Sequence, residues 1–167
     1  MQLLTDYRTA IPSSGESEIF PFRRADLNTL LNARLAEAVD LHMQMKQAHW
    51  NVRWPNFIGL QDLFAQLAQA VESYVEKIAA RIVQRGGIAE GTVRISGARS
   101  VLDEYPLTID DGMGHVEAVG HALAAFARDT RCAINEAMEL DDVQTARLFT
   151  EILQGVEQLH ELIAARS

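Results

Sequence analysis

Three histidines and two glutamates occupy positions from which helices could present them to a metal ion. His42 and His49 are seven residues apart, which is two helical turns, so both lie on one helix face. His160 stands in a later apolar stripe, and Glu76 follows Glu72 by one turn in another. Carboxylates and imidazoles that converge inside a helix bundle are how proteins hold iron and manganese. A histidine on an apolar face is more commonly a core residue, and Glu72 is expected to face solvent.

Other kinds of chemistry find little support in the sequence. The Glu-x-x-His signature of a di-iron site within one bundle is absent, because residues 72–75 read Glu-Ser-Tyr-Val and residues 76–79 read Glu-Lys-Ile-Ala. There is no phosphate-binding glycine loop, no Cys-x-x-Cys and no Gly-x-Ser-x-Gly. His115 and His121 are six residues apart and are expected to be structural or exposed. Cys132 is the single cysteine, and we expect it to be a small buried residue.

Four runs of apolar residues at three- and four-residue spacing predict the helices that must position these groups. Asp26 is the expected cap of the first helix, and Asp110-Asp111 suits the start of the third. Gly86-Gly87 ends the second. The stretch from 88 to 108 is irregular, with one short helical turn expected around Val101.

A long connection between the second and third helices is typical of a ferritin-like bundle. We therefore predict an all-α fold, a ferritin-like four-helix bundle with a long crossover between helices two and three. The bundle is expected over residues 25–167, with an N-terminal arm over residues 1–24.

Length and charge narrow the class of protein further. The chain has 167 residues and a net charge of −8, which suits one domain that handles cations and argues against a general nucleic-acid surface. No apolar run approaches the roughly 18 residues of a membrane span, and no signal peptide is apparent. Because a single cysteine is compatible with a reducing compartment, we predict a cytoplasmic protein.

The block Lys-Gln-Ala-His-Trp-Asn-Val at residues 46–52 resembles the signature of the Dps family, the miniature ferritins. Further similarities are Leu-Asn-Ala-Arg-Leu-Ala-Glu at 31–37, Pro-Asn-Phe-Ile at 55–58, Ile-Ala-Ala-Arg at 78–81 and Tyr-Pro-Leu at 105–107. The resemblance runs from about Leu27 to the C-terminus. It implies a homo-oligomer, a hollow dodecamer, that oxidises Fe(II) with hydrogen peroxide or oxygen, stores the ferric mineral and protects against peroxide stress.

The resemblance also implies a ferroxidase site between two subunits related by a two-fold axis. One subunit of the family provides two histidines and an aspartate, and its mate provides an acidic residue and a glutamate. In this chain His49 matches the first histidine, whereas Gln61 and Ala65 stand at the second histidine and the aspartate. Glu76 matches the acidic residue of the mate, and Ala80 stands where the glutamate is expected.

Two readings of this altered site follow. The first is a remodelled iron site formed by His49, Glu76 and His160, with Gln61 or His42 assisting. His160 is implicated because it falls where the family commonly has a tryptophan near the site. The alternative is a ferroxidase-inactive structural cage whose alanines repacked the pocket. Such a cage would bind another metal, zinc or manganese, or co-assemble with an active paralogue.

Charge bears on two further expectations. Asp141 and Asp142 are candidates for lining a pore through which cations enter, and the equally weighted alternative is that they cap the last helix. Residues 1–24 contain no lysine, whereas DNA-binding members of the family generally carry a lysine-rich arm. Twelve copies at −8 would carry −96, which repels phosphate. DNA binding is therefore not expected.

Overall fold

The computed structural model describes residues 16–53 and 57–166, with side chains from Asp26 onward except at positions 57 and 58. These residues form helices without any strand, so the all-α prediction is confirmed. The helices are α1 (Glu16–Asn51), α2 (Phe57–Gln84), α3 (Val93–Arg99), α4 (Gly112–Glu139) and α5 (Val143–Ala164). Four are long, and α3 lies within the crossover.

The helices pair in antiparallel fashion. On α1, His42 contacts the backbone of Ala68 on α2, and His49 contacts the backbone of Gln61. The contact position moves seven residues forward along α1 and seven residues backward along α2, so the two helices are antiparallel. Contacts from Arg81 to Thr145, and from Lys77 to Glu151, show the same antiparallel register between α2 and α5.

The crossover runs the length of the bundle. Gly112, the first residue of α4, lies so close to Leu60 that a Cβ atom added to it would be 2.7 Å from Leu60 Cδ1. Since Leu60 is near the start of α2, α4 begins where α2 begins rather than where α2 ends. The 28 residues of α2 span about 42 Å at 1.5 Å per residue. The predicted long crossover is therefore confirmed, and it connects two parallel helices.

Polar residues of α1 hold the crossover against the bundle. Asn32 donates from Nδ2 to the Ile88 carbonyl at 3.1 Å and accepts at Oδ1 from the Glu90 amide at 2.9 Å. Further along, Ser100 donates to Asp40 Oδ2 at 2.5 Å. Gln44 donates to the Asp103 carbonyl at 3.0 Å. The bonds from Asn32 and Gln44 supply partners for backbone groups that lie outside the regular helices.

The apolar stripes meet in one core, as their spacing predicts. Phe64, Phe126 and Phe149 are fully buried at its centre and come from three different helices. The largest fully buried aliphatic residues are Leu31, Leu35, Leu41, Met45, Leu67, Ile78, Ile82, Leu123 and Ile152.

Three local predictions are wrong. Helix α1 begins at Glu16, so Asp26 lies within it and does not cap it; acidic residues at 16 and 18 are of a type that favours a helix N-terminus. The short crossover helix, α3, ends before Val101. Cys132 is exposed because it is out of phase with the buried stripe of α4. The part of the predicted arm at residues 1–15 lies outside the described residues.

Candidate metal centre

Two histidines of α1 are anchored in the same way to the facing helix. His49 Nδ1 lies 3.0 Å from the carbonyl oxygen of Gln61, and His42 Nδ1 lies 2.9 Å from that of Ala68. A carbonyl oxygen only accepts hydrogen bonds, so Nδ1 of each ring carries the proton. The lone pair of each neutral ring is therefore on Nε2, which leaves that nitrogen available to bind a metal ion.

The acidic candidate does not join His49 within one chain. Glu76 is exposed on α2, fifteen residues after Gln61, which is the residue that His49 contacts. Fifteen helical residues span about 22 Å, far beyond the reach of both side chains. Within the described residues of one chain, no three His, Cys, Asp or Glu side chains are grouped closely enough to hold a metal ion.

His160 lies at mid-length of α2 rather than beside Glu76. Gly155 faces Tyr74 so closely that an added Cβ would be 2.2 Å from Tyr74 Oη. Continuing that antiparallel register by five residues sets His160, which is half-buried, about level with position 69 of α2. His42 contacts α2 at position 68, so the two histidines occupy the same level of the bundle.

The two alanines at family ligand positions both lie away from the core centre. Ala65 is half-buried and Ala80 is exposed, so each is accessible at the outer side of α2. A methyl group offers a metal ion no donor atom. The backbone carbonyl of Gln61 supports His49, while the Gln61 side chain is half-buried at the same level.

Two large apolar side chains on α1 are exposed near the histidines. Met43 follows His42, and Trp50, which is 58% exposed, follows His49. Lys46 Nζ lies 5.5 Å from the centre of the Trp50 ring, a cation–π distance. Exposed apolar groups two turns apart on one helix are typical of a surface that another protein covers.

The last two acidic candidates lie where α4 turns into α5. Asp142 is buried and caps α5, with Oδ1 accepting from the Thr145 amide at 3.0 Å. Its carboxylate also forms an ion pair with Arg81 at 2.8 Å and a second ion pair with Arg85. Asp141 has a φ of 58°, a left-handed conformation that Asp tolerates better than most residues. Capping is thus established for Asp142, and the pore role of both residues stays a prediction.

The remaining histidines behave as predicted. His121 is exposed and His115 is buried. The hydrogen bond from the Tyr105 hydroxyl to His115 was not apparent from the sequence, although Tyr105 stands in the Tyr-Pro-Leu match. Glu72 is exposed, as expected.

Comparisons with known proteins agree with this architecture. The ferritin-like domain family matches residues 28–165. The "DNA protection during starvation protein" of Agrobacterium fabrum is 34% identical over 148 residues, covering 89% of this chain and 86% of the relative.

Solved structures of Dps proteins superpose closely on this chain. A Dps1 variant from Mycobacterium smegmatis has a TM-score of 0.82 at 26% identity, covering 87% of this chain and 97% of that one. A Dps protein from Bacillus brevis has a TM-score of 0.81 at 25% identity, covering 86% and 96%. The helical bundle with its full-length crossover is therefore a ferritin-like protein. Within that class, the chain belongs to the Dps family.

Proposed function

We propose that this chain forms a cytoplasmic hollow cage, a dodecamer, that binds Fe(II), oxidises it and retains the ferric product under peroxide stress. The family membership and the exposed Met43 and Trp50 on α1 support assembly. The observation that carries the iron proposal is the anchored His49, whose Nδ1 is held by the Gln61 carbonyl at 3.0 Å. A histidine that binds metal through Nε2 is usually oriented in this way.

The proposed site needs two chains. In the family arrangement, positions 61 and 65 of one α2 meet positions 76 and 80 of its mate, which puts position 70 near the two-fold axis. The partner subunit's Glu76 then falls level with position 65. His42 and His160, at levels 68 and 69, would be within about one helical turn of that level. This similar level along α2 is the reason for proposing them in place of the missing ligands.

Each residue has a defined part in this proposal. His49 and the partner subunit's Glu76 bind Fe(II), His160 completes the set, and Gln61 or His42 assists. Two Fe(II) ions each give one electron to hydrogen peroxide, which takes up two protons and leaves as two waters, while two Fe(III) ions remain. The family's activity with iron and the imidazole–carboxylate donor set both fit this substrate.

Anaerobic titration with Fe(II), followed by a pulse of hydrogen peroxide, tests the proposal. We expect saturable binding of about one or two irons per subunit and ferric formation faster than in a protein-free control. His49→Ala and Glu76→Ala should each abolish tight binding while the cage remains assembled. The matched controls are His121→Ala, which removes an exposed histidine, and Glu72→Ala, which removes a glutamate one turn from Glu76. Equal loss in the controls, or parental rates in the first pair, would contradict this site.

Ala65 and Ala80 favour a second candidate, a ferroxidase-inactive cage. Both residues lack donor atoms at positions where the family has ligands. In that case the titration would show no Fe(II) binding and an oxidation rate equal to the control. Parallel titrations with zinc and manganese, and co-assembly with an active paralogue, would then identify what the cage does.

DNA coating is not part of the proposed function, although the relative from Agrobacterium fabrum is named for DNA protection. The net charge of −8 per chain and the absence of lysine in residues 1–24 oppose binding to phosphate. We expect no retardation of plasmid DNA at about 50 mM salt, where electrostatic binding would be strong. Retardation would show that the charge argument is wrong.

A further inference from the structure

The described structure contains a half-buried tyrosine hydrogen-bonded to a buried histidine, a pair that the iron proposal does not use. Tyr105, at the end of the crossover, places its hydroxyl 2.6 Å from Nδ1 of His115 on α4. The ring planes are within 19° of each other and the ring centres are 6.0 Å apart. With that separation, the C–O bond of the phenol must point along the line towards the imidazole. The bond is therefore short and well directed.

The rest of the pocket fixes which atom holds the proton. His115 is 3% exposed, and Phe64 packs against the ring edge with 6.4 Å between ring centres. Burial lowers the pKa of His115. A hydrogen bond to the backbone of Asn51 and the charge of Asp111 act in the opposite direction, but they do not cancel the effect of burial. An imidazole that bonds a backbone carbonyl donates to it, so the remaining nitrogen, Nδ1, is the acceptor for the phenol. His115 is thus a neutral base facing a protonated tyrosine.

We propose that Tyr105 and His115 form a redox site that gives up one electron and transfers one proton internally. The oxidant is a one-electron radical oxidant such as the hydroxyl radical. The electron leaves the phenol for the oxidant, which becomes hydroxide. The phenolic O–H bond breaks as the proton moves to Nδ1, leaving a neutral tyrosyl radical and an imidazolium. The site thereby intercepts an oxidising radical inside the protein.

Physical chemistry favours Tyr105 over Tyr74, the other tyrosine whose side chain the structure describes. Burial raises the pKa of Tyr105, so the phenol does not ionise beforehand and must lose its proton as it is oxidised. Tyr74 is buried, and burial raises its pKa too. Within the described residues, however, its hydroxyl has no hydrogen bond to a histidine; it faces Gly155 instead. Of these two tyrosines, Tyr105 is therefore the one with a base in place for the proton.

Light-driven oxidation tests the pair without using iron. A ruthenium polypyridyl complex with persulfate, flashed and frozen, supplies a one-electron oxidant to the assembled protein. Electron paramagnetic resonance then detects radicals, and ring-deuterated tyrosine identifies those on tyrosine. Because the oxidant comes from light, the result is independent of whether the proposed iron site is correct.

The variants separate the tyrosines from one another. The double substitution Tyr7→Phe with Tyr74→Phe leaves Tyr105 as the only tyrosine of the chain, and should keep the parental tyrosyl signal. Tyr105→Phe should reduce the signal to background. His115→Gln should reduce it to the same level, because an amide does not take up the proton. An undiminished signal in Tyr105→Phe or in folded His115→Gln would overturn the proposal, as would loss of the signal in the double variant.

A measurement that leaves His115 unchanged covers the case in which its variant does not fold. In the double variant, the imidazolium should donate a hydrogen bond back to the phenoxyl oxygen. Electron–nuclear double resonance should therefore show a strongly coupled proton that exchanges in D2O. A radical without such a proton would mean that His115 is not the acceptor, which would overturn the proposal.

Discussion

At the level of single residues, the most unusual group is a carboxylate enclosed between α1 and α4. Glu37 is 1% exposed; its Oε1 accepts from Arg34 at 2.6 Å, and Oε2 has no hydrogen-bond partner among the described residues. Burial raises the pKa of Glu37 from 4.5 to about 7. The positive charges of Arg34 and Arg128 lower this pKa, whereas the negative charges of Asp129 and Asp40 raise it further.

The raised pKa predicts a stability that falls as the pH rises. The folded protein binds this proton more tightly than the unfolded chain, so its contribution is complete below pH 4.5 and is lost as the pH rises through about 7. The shift corresponds to about 3 kcal/mol. Glu37→Gln keeps an acceptor for Arg34 and removes the titration. The free energy of unfolding, measured with denaturant, is compared at pH 4.5 and at pH 8. On going from the lower to the higher pH, we expect the variant to gain about 3 kcal/mol of stability relative to the parent.

An exposed ion pair supplies the control for that measurement. Glu151 contacts Lys77 at 2.6 Å, but its side chain is largely exposed, so screening keeps such a pair below about 1 kcal/mol. Glu151→Gln should follow the parental pH dependence. If the difference between Glu37→Gln and the parent is the same at both pH values, the pKa of Glu37 is not raised in the folded protein.

Single-residue roles were predictable from the sequence only in part. His49 could be identified because it stands in a specific motif, and its neighbours follow in order. The partnership of Tyr105 with His115 could not, because it depends on how the crossover returns to α4. The burial of Glu37 was also missed, since a glutamate two residues after Leu35 has no sequence feature that separates it from a solvated one.

At the level of elements, one aspartate joins three helices. Asp142 caps α5 and also pairs with Arg81 at the end of α2, while it directly follows the turn out of α4. Burial alone would raise the pKa of Asp142, but hydrogen bonds from the Thr145 backbone and hydroxyl, and from Arg81, lower it overall. Its stabilisation is therefore present above pH 3.8 and is lost as the pH falls through the lower folded value.

Removal of this carboxylate should have a much larger effect than removal of an ordinary cap. Asp142→Ala takes away the cap and leaves the Arg81 guanidinium without its carboxylate, so we expect a loss of about 3–5 kcal/mol. Asp111 caps α4 in an exposed position, accepting from the Gly114 amide at 2.6 Å. Asp111→Ala should lose only about 1 kcal/mol in the same unfolding experiment. Equal losses would mean that the buried ion pairs contribute nothing.

The contact between α2 and α5 depends on a glycine. A Cβ at Gly155 would lie 2.2 Å from Tyr74 Oη, so Gly155→Ala should destabilise the protein by about 1–3 kcal/mol. Adding Tyr74→Phe removes the clashing oxygen and should restore part of the loss. Gly59→Ala is the control, because nothing lies within 4 Å of its Cβ and alanine favours a helix. If Gly155→Ala matches Gly59→Ala in thermal melts, the helices are not in close contact here.

Helical periodicity was sufficient to predict the four long helices, because each carries an apolar stripe that the core buries. It did not predict the start of α1, where Pro21 and the turn-forming residues before it suggested an arm. The polar groups that hold the crossover, such as Asn32 and Gln44, were also missed. Their partners are backbone atoms more than fifty residues away, which no local pattern contains.

At the level of the whole molecule, the proposed metal site is a property of two chains. His49 and Glu76 of one chain are separated by about 22 Å along α2, so a single fold does not bring them together. Sequence alone supplies the types of ligand but not the partner's orientation. The two-fold relation implies a reciprocal arrangement, in which each pair of subunits forms two equivalent sites.

This reciprocity predicts complementation between two inactive variants. A pair made of one His49→Ala subunit and one Glu76→Ala subunit has one site with neither ligand and one site with both. Random co-assembly of the two variants in equal amounts should therefore restore about a quarter of the parental Fe(II) sites, although each variant alone restores none. The measurement is the anaerobic titration, repeated after the two proteins are dissociated, mixed and reassembled. A site contained within one chain would give no recovery, because every subunit in the mixture lacks one ligand.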